Sequence, residues 1–124
     1  MQFLNISNHP VEGWSASQRE AALALAPEAD LLDVDFPTLD PQWSRVKIKV
    51  KAIEFIDDLD PRPGARAMVA GEEPIMCFYL VRELQARGVT CYSATTERIS
   101  ETVEGEKRSH FSFVRFRAWP PSLL

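Results

Sequence analysis

A chain of 124 residues with 45% apolar and 10% aromatic residues suffices for one ordinary hydrophobic core and leaves too little for two packed domains. Its net charge of −4 argues against broad electrostatic binding to long nucleic acid. No stretch approaches the roughly 20 consecutive apolar residues that cross a bilayer, and the N-terminus opens on strand-like residues rather than a charged leader, so the expected location is cytoplasmic, away from any membrane.

Gln2-Phe3-Leu4-Asn5-Ile6 reads as a first strand that stops at the turn formers Ser7-Asn8-His9-Pro10. Two overlapping capping boxes, Ser15 with Gln18 and Ser17 with Glu20, then start a first helix that runs to Pro27. A second strand follows at Leu31 to Phe36, ending in a loop with Pro37 and Pro41. From Gln42 to Leu59 the spacing of Val46, Val50, Ile53 and Ile56 predicts a second helix with those residues inward and Arg45, Lys47, Lys49 and Lys51 in solvent.

Asp60 to Gly64 is a turn, and Ala67-Met68-Val69-Ala70 a short buried strand. It breaks at Gly71-Glu72-Glu73-Pro74, where proline suits the first turn of a third helix from Ile75 to Arg87, with Gly88 just past its end. The apolar run Ile75 to Val81 predicts burial of that helix on more than one side, or a face for a second copy of the chain. Val89 to Ala94 is the fourth strand. A hairpin then has one arm near Ile99 to Val103, a turn at Glu104-Gly105-Glu106-Lys107, and a second arm at His110 to Trp119. Strict alternation puts Phe111, Phe113, Arg115, Arg117 and Trp119 on one face of that arm, and Ser112, Val114, Phe116 and Ala118 on the other.

This order predicts an α/β fold: a Rossmann-like open sheet of four mainly parallel strands with three helices, closed by a C-terminal β-hairpin, as one domain over residues 1–124. Ligands of such sheets bind beyond the carboxyl ends of the strands at a switch in strand order. Three loops qualify: Ser7-Asn8-His9, Gly71-Glu72-Glu73-Pro74, and Thr95-Thr96-Glu97-Arg98. Cys77 and Cys91 are expected as two isolated buried thiols rather than a disulfide.

The segment Arg87 to Arg117 holds six basic residues against four acidic, and the rest of the chain eight against fourteen. An acidic body with a locally basic edge suits a small anionic ligand. Thr95 and Thr96 can donate to phosphate oxygens and Arg98 can grip them bidentately, although a strand end with a Glu97–Arg98 surface pair explains the same residues. The amides of a helix starting after Gly71 suit an anion, while Glu72 and Glu73 suit plain compensation of the helix dipole. His9 suits a general acid, a base or a phosphate donor, and equally a side chain capping local backbone. There is no P-loop and no GxGxxG, and the two histidines are far apart with no ligand at metal spacing, so neither a cofactor nor a metal is expected.

Through Met68-Val69-Ala70-Gly71-Glu72, Tyr92-Ser93-Ala94-Thr95-Thr96-Glu97-Arg98 and Phe113-Val114-Arg115-Phe116-Arg117, the chain resembles a group of small CRISPR-associated Csx proteins. The Ser7-Asn8-His9-Pro10 turn is a weaker echo of that group's N-terminal signature. Those proteins are ring nucleases with a CARF-like Rossmann fold. The resemblance implies a homodimer that binds cyclic oligoadenylate, the four-nucleotide ring above all, in a pocket spanning both subunits. It implies metal-independent cleavage by attack of a ribose 2′-hydroxyl on the adjacent phosphate, switching off type III CRISPR signalling; a sensor or sponge that binds without cutting is the alternative. Carried over by position, Ser7, Asn8, His9, Thr96 and Arg98 would surround the scissile group. Thr95, Arg115 and Arg117 would hold other phosphates of the ring, Gly71 would allow its close approach to the backbone beside Glu72, and Glu97, also on the substrate-binding wall, would orient Arg98 rather than touch the anion. Ala70, where the pattern has an amide, and Glu73, where it has an apolar residue, depart from it.

Overall fold

The computed structural model describes residues 1–122. Five strands form one sheet: β1 (Gln2–Ile6), β2 (Asp30–Val34), β3 (Arg66–Val69), β4 (Thr90–Val103) and β5 (Glu106–Ala118), in the order β2-β1-β3-β4-β5. β2, β1, β3 and β4 run parallel, and β5 returns antiparallel to β4. Three helices connect them: α1 (Ala16–Leu25), α2 (Arg45–Leu59) and α3 (Pro74–Ala86), with a single 3-10 turn at Val11–Gly13 before α1. The α/β open sheet with three helices and a C-terminal hairpin is therefore the fold expected from the sequence. Among the described residues no helix is long and apolar enough to cross a membrane.

Alternation along β1 divides the core. Leu4 and Ile6 face α2 and α3, packing with Ile56, Met76, Leu80 and Leu84. Phe3 points to the opposite face, where it meets Trp14, Ala22, Tyr92 and Phe116 under α1. The Phe3 and Trp14 rings meet edge to face at 6.2 Å and Phe3 lies 5.6 Å from Phe116, distances at which aromatic pairs add to simple area burial. Cys77 and Cys91 are buried free thiols, one in α3 and one in β4, as expected.

Local signals set most element ends. The Ser15 hydroxyl accepts from the Gln18 amide and the Ser44 hydroxyl from the Lys47 amide, capping α1 and α2. α2 stops where Asp60 takes a left-handed conformation (φ 47°). Its inward face differs from the one expected: Ile48, Ala52 and Ile56 are buried, whereas Val46 is 64% and Val50 44% exposed. Within Val46-Lys47-Ile48-Lys49-Val50 apolar residues alternate with lysines, so two helical stripes compete, and the spacing of four through Ala52 fits the crowded interface with α3.

The C-terminal strands also depart from expectation. β4 is one unbroken strand of 14 residues, not a strand, a loop and a hairpin arm. No glycine or proline interrupts Ala94 to Ile99, and every residue from Tyr92 to Val103 finds a partner in β5. A bulge at Thr95/Thr96 leaves Val114 as an extra residue: Thr95 pairs with Arg115 and Thr96 with Phe113. The bulge reverses the alternation, so Phe116 shares a face with Phe113, 4.9 Å away. Arg115 and Arg117 lie on the opposite face, beside Thr95 and Ser93.

Candidate functional site

β1 and β3 are the point where the chain order reverses, since β1 leads to α1 on one face and β3 to α3 on the other. The sheet therefore opens beyond Ile6 and Val69, where ligands of doubly wound sheets bind. Two clefts lie there, one on each face.

The cleft on the α1 face has a volume of about 580 Å³, within the size range of sites for small molecules. Met68 and Ala70 from the β3 edge and Ala94 and Thr96 from β4 form its floor. His9 and Trp14 rise from the segment between β1 and α1, Gln18 descends from the first turn of α1, and Phe111 stands at the mouth. Arg98 is the ladder partner of Phe111 and so flanks the same mouth; its guanidinium reaches the Ser109 hydroxyl at 3.3 Å. No carboxylate is among the described residues that line this cleft.

The His9 loop is held from below. Asn5, 1% exposed, donates from its side-chain amide to the His9 carbonyl at 2.7 Å and to the Asp33 carboxylate at 2.9 Å. The Ser7 hydroxyl donates to Asn5 Oδ1 at 2.7 Å and accepts from the His9 amide at 3.1 Å. Asp33 also accepts from the Val11 amide at 2.9 Å. Buried polar groups that satisfy one another in this way rigidify a loop, and the exposed His9 side chain is what the brace presents.

The second cleft, on the α3 face, measures about 480 Å³ and is lined by Asn8, Phe36, Pro37, Thr38, Glu72 and Glu73 among others. It is acidic. The Glu73 carboxylate also caps α3, accepting from the Ile75 and Met76 amides at 3.2 and 2.9 Å. Those amides are thus occupied by an internal anion, which is the dipole-compensation reading rather than an anion site. Gly71 makes a close approach to a side chain: a Cβ there would lie 2.3 Å from atoms of the Phe36 ring, a clash. Burial pushes the Cys77 thiol above its ordinary range, helped by the Glu73 carboxylate, and burial pushes that of Cys91 up to about 12. Neither thiol is a ready nucleophile.

The residues singled out from the sequence divide accordingly. His9 and Thr96 meet in the α1-face cleft, with Arg98 at its edge. Ser7 lies beneath, its hydroxyl engaged in the loop. Asn8 and Glu72 line the other cleft and Gly71 borders it. Thr95, Glu97, Arg115 and Arg117 belong to the sheet face opposite Thr96 and Arg98, because neighbours on a strand point to opposite sides. Trp14, Gln18, Met68 and Phe111 had no place in the sequence reading of the site. The alternation of Met68 with Ala70 and of Ala94 with Thr96 is the signal that reveals the floor. Among the described residues no group of three or more His, Cys, Asp or Glu side chains is placed to hold a metal ion.

Comparison with known proteins adds one match: the model of the Uncharacterized protein MJ1673 family covers residues 1–117. No curated protein and no solved structure matches the chain.

Proposed function

The chain belongs to the Uncharacterized protein MJ1673 family, and we propose that it acts as a ring nuclease, binding cyclic oligoadenylate and opening the ring without a metal ion. The preferred substrate in this reading is the four-nucleotide ring, held by a homodimer, and its destruction ends signalling by type III CRISPR complexes. One observation carries the proposal: a carboxylate-free cleft at the strand-order switch, lined by His9 and Thr96 beside the aromatic rings of Trp14 and Phe111, with Arg98 flanking its mouth as the ladder partner of Phe111. Hydroxyl, imidazole and guanidinium donors suit phosphate oxygens, and aromatic faces suit bases.

The chemistry asks little of the protein. The ribose 2′-oxygen attacks the neighbouring phosphorus, the bond from phosphorus to the 5′-oxygen breaks, and the proton leaving the 2′-hydroxyl is balanced by one delivered to the 5′-oxygen. The products are ends bearing a 2′,3′-cyclic phosphate and a 5′-hydroxyl. Because the nucleophile belongs to the substrate, the site has to align sugar and phosphate and stabilise the charge that develops on phosphate oxygens. Thr96 and Arg98 supply donors for that charge, and His9 is the titratable side chain among the described cleft residues, which gives it the proton transfer. The brace of Asn5 and Ser7 holds His9 in place.

Incubating the protein with cyclic tetra-adenylate and excess chelator tests this reading. Linear products ending in 2′,3′-cyclic phosphate are expected, and an intact ring after stoichiometric incubation overturns it. A second reading, capture of the ring without cleavage, is favoured by the Ser7 hydroxyl being engaged in the loop, which leaves His9 with no partner for a second proton transfer. Saturable binding with no product selects that reading.

A further inference from the structure

We propose that Gln18 is the residue that selects adenine in the α1-face cleft, with Phe111 stacking on the base; this rests on the cyclic oligoadenylate reading of the same site. Gln18 sits in the first turn of α1, half-buried, and its side chain enters the cleft above the Met68 and Ala70 floor. Among the described residues its amide has one partner, the Met68 thioether at 3.8 Å. A thioether is a weak acceptor, so this contact orients the amide without satisfying it. An amide with an NH₂ donor and a carbonyl acceptor side by side matches the N7 acceptor and N6 amino donor of adenine, and mismatches guanine, which offers acceptors at both positions.

The surroundings favour a flat, neutral aromatic ring at this position. Ala70 and Ala94 leave room over the strands, and Trp14, 8% exposed, closes the inner wall. Phe111 is 72% exposed at the mouth, where the exposed ribbon of β4 and β5 meets the half-buried Phe113. A large apolar side chain left in solvent beside a half-filled polar amide is explained by a base that covers it. His9 and Thr96 line the same cleft and Arg98 is the ladder partner of Phe111, so donors for the phosphates attached to such a base lie beside it.

The test compares binding of cyclic tetra-adenylate and cyclic tetra-guanylate by calorimetry, for the unmodified protein, Gln18→Leu and Phe111→Ala. The unmodified protein is expected to prefer the adenylate ring by about tenfold or more, the scale of one bidentate base contact. Gln18→Leu brings the two affinities within about twofold of each other by removing that contact. Phe111→Ala weakens both rings by about tenfold and keeps the preference, because stacking is indifferent to base identity; its exposure makes misfolding no explanation. Binding of the adenylate ring with the preference intact in Gln18→Leu overturns the assignment of Gln18 while leaving the ring reading standing. An unaltered affinity in Phe111→Ala overturns the stacking role. Failure of the unmodified protein to bind either ring overturns both the inference and the reading beneath it.

Discussion

Gly71 owes its identity to a residue 35 positions earlier in the chain. Its φ is not in the left-handed region, and what excludes a side chain there is the ring of Phe36, buried at 8% exposure against the α2–α3 core. Gly71→Ala is therefore expected to lower unfolding free energy by about 1–3 kcal/mol, the usual cost of overpacking, measured by urea denaturation. Adding Phe36→Leu in the same chain recovers part of that loss if the clash is the cause, and an additive double mutant refutes it. This role was invisible in the sequence, where Gly71 reads as a residue allowing a ligand close to the backbone. Local patterns report on neighbours within a turn or two, and the Phe36 contact is a tertiary one. Ser7 follows the same logic. Its place after the first strand was legible, but its buried neighbour Asn5, which takes its hydroxyl hydrogen bond, could be recognised only once β1 and β2 were set side by side with Asp33.

Elements were legible where their ends carry their own chemistry. Ser15 announces α1 and Pro74 the first turn of α3; the Ser15 cap forms as expected, within three residues of sequence, and Ser44 caps α2 in the same way without having been singled out. Glu73 is the instructive case, because a carboxylate at a helix start serves either an external anion or the helix itself. Here it bonds two α3 amides. Glu73→Ala should cost about 1 kcal/mol of stability, as loss of an N-cap does, whereas Glu72→Ala, at an exposed position, should change stability by under about 0.5 kcal/mol. Equal effects from the two in thermal denaturation would remove the capping role. The inward stripe of α2 and the bulge of β5 resisted reading for a different reason. In each, periodicity was sound but its phase was not, since alternating Lys and β-branched residues define two stripes and one extra residue at Val114 reverses a whole strand face.

At the scale of the molecule, the sheet has two regimes. The central parallel strands β1 and β3 are buried on both faces, while from Arg98 to Phe111 the β4–β5 ribbon extends beyond the helices with every residue exposed. A two-stranded ribbon contributes little stability by itself, so this arm should be separable from the fold that builds the cleft. Its tip is a two-residue turn with Glu104 at φ 53° and Gly105 at φ 82°, the type I′ geometry that Asn-Gly also adopts. Ile99 pairs with His110 as Val103 pairs with Glu106, an even number of residues along the ladder, so a two-residue turn fits at either place. Replacing Ser100–Ser109 by Asn-Gly is then expected to leave a cooperative melt within about 5 °C of the original, because nothing in either core cluster is removed. Arg98 and Phe111 remain in the shortened chain, so affinity for cyclic tetra-adenylate should be retained as well. Loss of cooperative folding would show that the arm stabilises the sheet. Retained folding with lost binding would move part of the site out along the arm, beyond the cleft at the strand-order switch.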